Sequence, residues 1–214
     1  MQRVHDLDSK ISLWIHQAGA RIPRFVLRLL EFSGDGVFWI VAIAALACAA
    51  PSSPQLQLLV PDLMLGFVLD VLLVASIKTI VRRPRPIYNK GMYVISSVDH
   101  WSFPSGHSSR ALFMASFFWL KAASSISSSS SSSLPPSPPW ASLLEFVVTV
   151  EFLALSWAVA TAISRVLLGR HYVMDVFVGS ILGVLEAAVV DKFSHATLHQ
   201  ALREKLSATT IAWR

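Results

Sequence analysis

Four long apolar stretches constrain this chain more than any other feature of its sequence. They cover residues 32–50, 58–81, 141–163 and 173–190. A helix needs about 20 mostly apolar residues to cross the hydrocarbon core of a bilayer, and each stretch reaches or approaches that length. Of the 214 residues, 54% are hydrophobic and 14% are charged, whereas an average soluble domain has about 45–50% apolar and about 25% charged residues. The sequence therefore predicts an all-α, polytopic membrane helix bundle.

A fifth spanning helix is predicted over residues 108–126, whose middle is strongly apolar. Arg110 and Lys121 flank that middle, where long basic side chains can reach the two membrane interfaces. Upstream, residues 1–31 carry apolar side chains at helical spacing, and Pro23 can open a second short helix there. This N-terminal part is predicted to be amphipathic and interfacial rather than spanning. The expected fold has about five spanning helices plus an N-terminal interfacial helix.

Composition divides the chain into three regions: residues 1–31 at the interface, a membrane-embedded core at 32–191, and a polar C-terminal tail at 192–214. Within the core, residues 124–139 are almost entirely Ser and Pro. Such a segment buries too little apolar surface to offset its ordering entropy. It is predicted to be a disordered loop that carries no chemistry.

The charge and the cysteine content exclude several classes of protein. The formal net charge is +5, but the Lys and Arg residues lie beside apolar spans rather than in one solvated stripe, so nucleic-acid binding is not expected. The single cysteine, Cys48, excludes an intrachain disulfide and a thiolate metal cluster.

The order of the spans brings polar residues that are distant in sequence to one side of the membrane. The second span ends near Lys78, the third begins near His107, the fourth ends near Arg165 and the fifth begins near His171. Antiparallel crossings place these four ends on the same face. Arg offers a planar fork for phosphate oxygens and Lys a point charge, and the start of the helix near residue 107 favours an anion. The face is therefore predicted to bind a phosphate group.

His171 and Asp175 are four residues apart, which places them on the same face if both lie on one helix. A carboxylate at that spacing can fix the tautomer of an imidazole and stabilise its cation, so that the neutral ring acts as a nucleophile. Taken alone, such a pair is more often an ion pair that ties helices together. The other polar residues of this face favour the chemical interpretation.

The chain carries three motifs: Lys78 followed after six residues by Arg85–Pro86; Pro104–Ser105–Gly106–His107; and Ser164–Arg165, five residues, His171, three residues and Asp175. They resemble the three signatures of the type 2 phosphatidic acid phosphatase superfamily, each present without substitution and in the family's order. The small size and the serine tract are similar to those of the small plant lipid phosphate phosphatases of that superfamily.

The resemblance implies a six-helix core and a phosphatase that needs no metal or other cofactor. It implies that His171 attacks phosphorus and forms a phosphohistidine, that Asp175 orients His171, and that His107 protonates the leaving oxygen. His107 would then take a proton from the water that hydrolyses the intermediate. The residues implied to bind the phosphoryl oxygens are Lys78, Arg85, Ser105, Gly106 and Arg165.

The expected substrate is a phosphomonoester of a membrane lipid, such as phosphatidate. A polyisoprenyl diphosphate phosphatase would use the same residues, and a non-catalytic membrane scaffold or lipid-phosphate carrier is the alternative from another class. Ser105 can instead be a plain helix cap. Arg82, Arg83 and Arg170 are interpreted as cations that follow the positive-inside rule, and of the three Arg83 is the one most expected to contact phosphate.

The basic residues also bear on location. Most of the Lys and Arg residues fall on the face of the expected site, and the positive-inside rule makes that face cytoplasmic. Several of these cations have a chemical reason to lie there, which weakens the count. The organelle is left open between the endoplasmic reticulum and a plastid membrane, and no oligomeric state is predicted.

Overall fold

The computed structural model describes residues 2–52, 54–88, 100–129 and 139–211. These residues form seven α-helices, and an isolated bridge between Pro84 and Trp101 is the strand-like pairing among them. In chain order the helices are α1 (Gln2–Ala18), α2 (Arg24–Ser33), α3 (Gly36–Ala49), α4 (Pro54–Val81), α5 (Gly106–Ser129), α6 (Pro139–Leu167) and α7 (Val173–Ile211).

Within the part of the chain that the structure describes, three helices are long and apolar enough to cross a membrane: Leu56–Val81 of α4, Thr149–Leu167 of α6 and Val173–Ser194 of α7. A fourth crossing is possible if α2 and α3, which meet at a bend of 48°, form one broken span. All four coincide with the long apolar stretches of the sequence. The all-α membrane bundle is therefore confirmed. The first stretch was predicted as one continuous span, but α3 has only 14 residues. Helix α2 has to be added to α3 to reach the length of a membrane span.

Helix α5 lies in the middle of the bundle, where it contacts α4, α6 and α7. Ala111, Phe113 and Phe117 on this helix are fully buried. Its serine-rich ends keep it out of the group of helices that qualify as spans by length and composition. The stretch predicted as a fifth spanning helix is thus a central helix of the bundle, enclosed by its neighbours, and it is not among the candidate membrane spans.

Two basic residues of α5 differ from the prediction that they reach the membrane interfaces. Arg110 is buried and pairs with Asp70 of α4 at 2.9 Å. Lys121 pairs with Asp62 of α4 at 3.0 Å and with Asp191 of α7 at 3.5 Å. A carboxylate on a packed neighbouring helix satisfies a cation within the bundle, so neither side chain has to extend to the interface.

The predicted region boundaries fall inside helices. The serine-rich segment was expected to be a loop from residue 124, but α5 continues through Ser129. The Ser124 hydroxyl donates to the carbonyls of Leu120 at 3.1 Å and Lys121 at 2.9 Å, a local bond that helical serines commonly form. Residues 130–138 lie outside the described residues, as do 212–214. Helix α7 runs without interruption across the predicted start of the tail at residue 192.

The N-terminal helices pack against the bundle rather than standing apart from it. Pro23 immediately precedes α2, as predicted for a proline that opens a helix. Helix α1 contacts α6 and α7, and α2 contacts α6. The His16 ring on α1 lies 2.8 Å through Nδ1 from the carbonyl oxygen of Leu167 at the end of α6. The predicted boundary at residue 31 therefore lies within α2, and α1 reaches the end of the bundle where the polar residues gather.

Candidate functional site

The segments that end α4 and precede α5 form a short paired structure at one end of the bundle. Arg82 ends α4 with a left-handed backbone (φ 50°), and its amide donates to the Lys78 carbonyl at 3.0 Å. The Ser102 amide then donates to the Arg83 carbonyl at 2.8 Å. This pairing holds Arg85, the residue after Pro84, beside the turn that precedes α7.

The turn between α6 and α7 depends on a glycine. Gly169 adopts φ +75°, a conformation that residues with a Cβ rarely adopt. A Cβ at this position would also lie 2.8 Å from Cδ2 of Tyr88. The amides of Arg170 and His171 donate back to the Arg165 carbonyl at 2.9 and 3.3 Å. The turn thereby directs the His171 side chain into the bundle.

Helix α1 supplies the caps for the start of α7. The first amides of an α-helix have no partner within the helix and need one from elsewhere. The Ser12 hydroxyl accepts from the Val173 amide at 2.9 Å, and Asp8 Oδ1 accepts from the Met174 amide at 3.1 Å. Helix α1 therefore helps to hold the N-terminal end of α7 in place.

His171 is 1% exposed and has a partner at each ring nitrogen. Nδ1 lies 2.7 Å from the carbonyl oxygen of Ser102, which can only accept a hydrogen bond, so Nδ1 is assigned the proton. Nε2 lies 3.2 Å from Nη1 of Arg85, which can only donate. The two contacts together define a neutral imidazole. The lone pair of its Nε2 faces the Arg85 guanidinium, a group that commonly binds phosphate.

The electrostatic surroundings keep this imidazole neutral. Burial lowers the pKa of His171 well below its ordinary value. The positive charges of Arg85, Arg165 and Lys78 lower the pKa further, while the hydrogen bond to Ser102 acts in the opposite direction. A neutral ring with a free lone pair is the form in which histidine acts as a nucleophile.

Asp175 is close to His171, but it does not occupy the position expected from the spacing. His171 lies in the turn before α7, not on the same helix face, and Asp175 Oδ2 is 3.7 Å from His171 Nδ1. That is too long for a hydrogen bond. Oδ2 instead accepts from the Tyr172 amide at 2.9 Å, and Oδ1 accepts from Arg83 at 2.6 Å. The direct partner of His171 Nδ1 is the Ser102 carbonyl, and Asp175 acts on the ring at longer range.

His107 stands in the first turn of α5 on the same side of the bundle. Lys78 and Arg165 exert their charge on both His107 and His171, and the two imidazoles interact electrostatically with each other. The closest charged oxygen to His107 is Oδ2 of Asp35, 3.8 Å from Nε2. The structure thus gathers both predicted histidines at the end where the four helix termini converge.

Two of the three predicted phosphate-binding cations are buried, the third, Arg85, is partly buried, and both arginines are held by protein groups. Lys78 is 6% exposed and Arg165 is 1% exposed. Arg165 donates to Glu31 of α2 at 2.8 Å, and Arg170 donates to the same carboxylate at 3.1 Å. Arg85 donates to the Arg170 carbonyl at 2.8 Å. These contacts fix the positions of the guanidinium groups.

Ser105 and Gly106 lie where α5 begins. The Ser105 side chain is fully buried, 2.9 Å from the Ser108 hydroxyl, and accepts weakly from the Ser108 amide at 3.4 Å. This geometry is that of a helix cap, the plainer of the two interpretations. The Ser105 amide donates to the Asp175 carbonyl at 3.0 Å. That bond ties the start of α5 to the first turn of α7.

A close approach of backbones brings α5 and α7 together. A Cβ on Gly179 would lie 2.5 Å from the carbonyl oxygen of Ser105, and a Cβ on Gly183 would lie still closer to the carbonyl oxygen of Ser109. Small residues at this spacing let two helices pack closely. They allow the first turns of α5, which carry His107, to lie against α7.

Sequence reasoning missed several residues of this site. The sequence predicts Arg83 as a membrane-side cation or a phosphate contact, but not its role here, where it joins Asp175 to Asp8 and stacks on the Tyr172 ring at 4.0 Å. Glu31 and Asp35 lie in the segment around the α2–α3 bend, outside every motif. A carboxylate beside an apolar span was the only signal that marked them.

The helical membrane architecture, the clustered cations and the two imidazoles together define an integral membrane phosphatase. The chain belongs to the PAP2 superfamily, whose pattern matches residues 60–197. It is 40% identical over 193 residues to a protein of Arabidopsis thaliana named "Probable lipid phosphate phosphatase beta", covering 87% of this chain and 88% of that one. The resemblance deduced from the three motifs is thus confirmed.

Two solved structures share the fold. The transmembrane PAP2-type phosphatidylglycerolphosphate phosphatase from Bacillus subtilis aligns with a TM-score of 0.69 and 25% identity, over 92% of this chain and 88% of that one. LpxE from Aquifex aeolicus aligns with a TM-score of 0.58 and 22% identity, over 86% of this chain and 93% of that one. The protein is therefore a multi-pass membrane protein with the fold of these transmembrane enzymes.

Proposed function

We propose that this protein hydrolyses the phosphomonoester of a membrane lipid such as phosphatidate, with His171 as the nucleophile. The observation that carries this proposal is the state of the His171 ring. Nδ1 is 2.7 Å from the Ser102 carbonyl and Nε2 is 3.2 Å from Arg85. The nitrogen with the free lone pair therefore faces the cation that would hold the phosphoryl group.

In the first step, His171 Nε2 attacks phosphorus while the bond from phosphorus to the lipid oxygen breaks. The neighbouring cations, Lys78, Arg85 and Arg165, neutralise the phosphoryl oxygens, which is the main requirement of phosphoryl transfer. The Gly106 amide and the Ser105 hydroxyl lie at the start of α5, where a helix favours an anion. His107 donates a proton to the leaving oxygen.

In the second step, water attacks the phosphohistidine and gives a proton to His107. His171 leaves as the neutral ring, and inorganic phosphate is released. The Ser102 carbonyl and Asp175 stabilise the ring while it carries the phosphoryl group, because both are acceptors on the Nδ1 side. General acid and base catalysis of this kind contributes about 10²–10⁴ in rate.

The surroundings of the site favour a lipid substrate. Apolar side chains at the site end of α4 and α7 are exposed: Ile80 is 79% exposed, Phe177 57% and Met174 40%. In a bilayer these side chains face lipid. A phosphate in the site would then place the acyl chains of its lipid beside these surfaces.

The proposal also covers the side of the membrane on which the site lies. The excess of basic residues on the site face favours a cytoplasmic orientation. Protease treatment of sealed vesicles tests it, with a cleavage site engineered into the serine-rich segment 130–138, which the order of the predicted crossings assigns to the other face of the membrane. Protection from external protease in vesicles whose cytoplasmic face is outward supports the proposal, and cleavage there contradicts it.

The test of function is phosphate release from purified protein in excess EDTA. The substrates are phosphatidate, a polyisoprenyl diphosphate and a water-soluble phosphomonoester, and the expected preference is phosphatidate. The variant His171→Ala should release no phosphate, whereas His100→Ala, which changes an exposed histidine near the site, should match the wild type. Unaltered release by His171→Ala would remove His171 as the nucleophile. No release by the wild type from any lipid phosphate would instead favour a carrier.

A further inference from the structure

The first apolar stretch is broken at Gly34–Asp35, and the break lies against the site. The two helices on either side meet at 48°. A Cβ at Gly34 would lie 2.8 Å from Cγ2 of Thr161 and 3.4 Å from Cδ2 of His107. Arg110 Nη1 donates to the Gly34 carbonyl at 3.3 Å. The turn is therefore packed closely onto α5 and α6, with the His107 ring beside it.

Asp35 uses its two carboxylate oxygens differently. Oδ1 accepts from the Val37 amide at 2.8 Å and caps α3. Oδ2 is directed towards His107, 3.8 Å from Nε2. Within the described residues, His107 Nε2 is buried and has no hydrogen-bond partner. Contacts of catalytic groups are often long in the free enzyme and shorten when substrate binds.

We propose that Asp35 is the positioning carboxylate of His107, so that the second imidazole has its acidic partner on the broken first span. The inference rests on the proposed function, in which His107 is the general acid. A protonated imidazole carries a proton on each ring nitrogen. Asp35 Oδ2 holds the proton on Nε2, and the proton on Nδ1 passes to the lipid oxygen as the bond from that oxygen to phosphorus breaks. His107 is then neutral and can take a proton from the attacking water.

The position of Asp35 explains the shape of the first span. At the break, Asp35 Oδ1 caps α3, and the Gly34 carbonyl lies 3.3 Å from Arg110 Nη1 of α5. The break therefore provides both the cap and the contact with α5. Asp35 lies outside residues 60–197, the part of the chain that the PAP2 pattern matches. The general acid would thus be positioned by a residue that none of the three motifs includes.

The test compares two substrates that differ in how much they need an acid. The alkoxide that leaves phosphatidate is a strong base and needs protonation, whereas the phenolate that leaves para-nitrophenyl phosphate does not. Asp35→Asn is the informative variant, because Asn caps a helix as well as Asp and removes only the charge. We expect Asp35→Asn to lower kcat on phosphatidate by about 10–100-fold, within the range that acid catalysis contributes. Its kcat on para-nitrophenyl phosphate should equal that of the wild type.

Further variants separate this proposal from its alternatives. His107→Ala should show the same substrate dependence with a larger loss, and Asp35→Asn should cost nothing more in the His107→Ala background, because the two residues act as a unit. Asp6→Asn changes an exposed carboxylate of α1 and should behave as the wild type. The thermal midpoint of Asp35→Asn should match the wild type, while Asp35→Ala, which loses the cap, should unfold at a lower temperature.

Three results would overturn the proposal, and they are distinguishable. Equal slowing of both substrates by Asp35→Asn would mean that Asp35 only shapes the site, and no slowing of either would mean that it has no part in the reaction. If His107→Ala slows both substrates equally, the acid role of His107 in the proposed function is itself wrong, and the inference about Asp35 falls with it. A loss confined to phosphatidate in both variants supports both.

Discussion

Replacing Arg83 tests whether the carboxylate beside His171 depends on a residue that belongs to none of the sequence motifs. Arg83 donates to Asp175 Oδ1 at 2.6 Å and to Asp8 Oδ2 at 2.8 Å. Asp175 is fully buried. The variant Arg83→Met keeps much of the side-chain volume and removes the charge. Removing one partner of a buried ion pair costs about 3–5 kcal/mol, because the other charge is left uncompensated.

The assay is thermal unfolding of the purified protein in detergent. For a chain of this length, 1 kcal/mol shifts the midpoint by about 2–4 °C, so Arg83→Met should unfold roughly 6–20 °C below the wild type. The double variant Arg83→Met with Asp175→Asn removes one of the two buried carboxylate charges that lose their partner, while the charge of Asp8 remains. It should recover part of the lost stability.

Arg82→Met is the matched control, because the Arg82 side chain is exposed. A substitution at such a position changes stability by less than about 0.5 kcal/mol. The reasoning is refuted if Arg83→Met is as stable as the wild type. It is also refuted if Asp175→Asn fails to restore stability in the Arg83→Met background.

Three further predictions concern the backbone and the ionisation of the site. The lowered pKa of His171 means that, below about pH 6.5, the unfolded chain binds a proton at this residue that the folded chain does not. Stability should therefore fall as the pH is lowered from about 7.5 to about 5.5, and fall less in His171→Gln, as measured by thermal midpoints. Gly179→Ala should abolish phosphate release, because the added Cβ would lie 2.5 Å from the Ser105 carbonyl oxygen; Ile181→Ala, on the exposed side of the same helix, should remain active. Gly169→Ala should lose about 1–2 kcal/mol of unfolding free energy in denaturant titrations, since φ is +75° there; unchanged stability would contradict this.

The spans follow from the sequence because each depends on a local property. An apolar run of sufficient length crosses a bilayer whatever its neighbours are, and the runs ending near Lys78 and Arg165 coincide with α4 and α6. Side-chain direction depends on neighbours that are distant in sequence. Arg110 was expected at an interface, but it turns inward because Asp70 faces it from α4. No pattern within residues 108–126 contains that partner.

The same distinction between local sequence properties and distant contacts applies to the residues of the site. His107, Arg165 and His171 are marked by their motifs, and counting antiparallel crossings brings them to one face. Glu31 and Asp35 enter the site through the bend between α2 and α3. That bend replaces what the apolar composition predicts as one continuous span, so the position of both carboxylates required the three-dimensional structure.

The partner of His171 shows a further limit of spacing arguments. A separation of four residues predicts a direct contact with Asp175 if both residues are helical, but the helix begins at Val173. Nδ1 instead donates to the carbonyl of Ser102, 69 residues earlier in the chain. A backbone acceptor carries no signature in the sequence, since every residue has one.

The most direct test of the central claim is to look for the phosphoryl group on His171. Phosphatidate labelled with radioactive phosphorus is mixed with the enzyme, the reaction is quenched in alkali within milliseconds, and the labelled peptide is identified by mass spectrometry. The account predicts an acid-labile phosphohistidine at His171 that forms and decays at the rate of turnover and is absent from His171→Ala. No label on the wild-type protein during rapid turnover, or label at His107 instead, would contradict it.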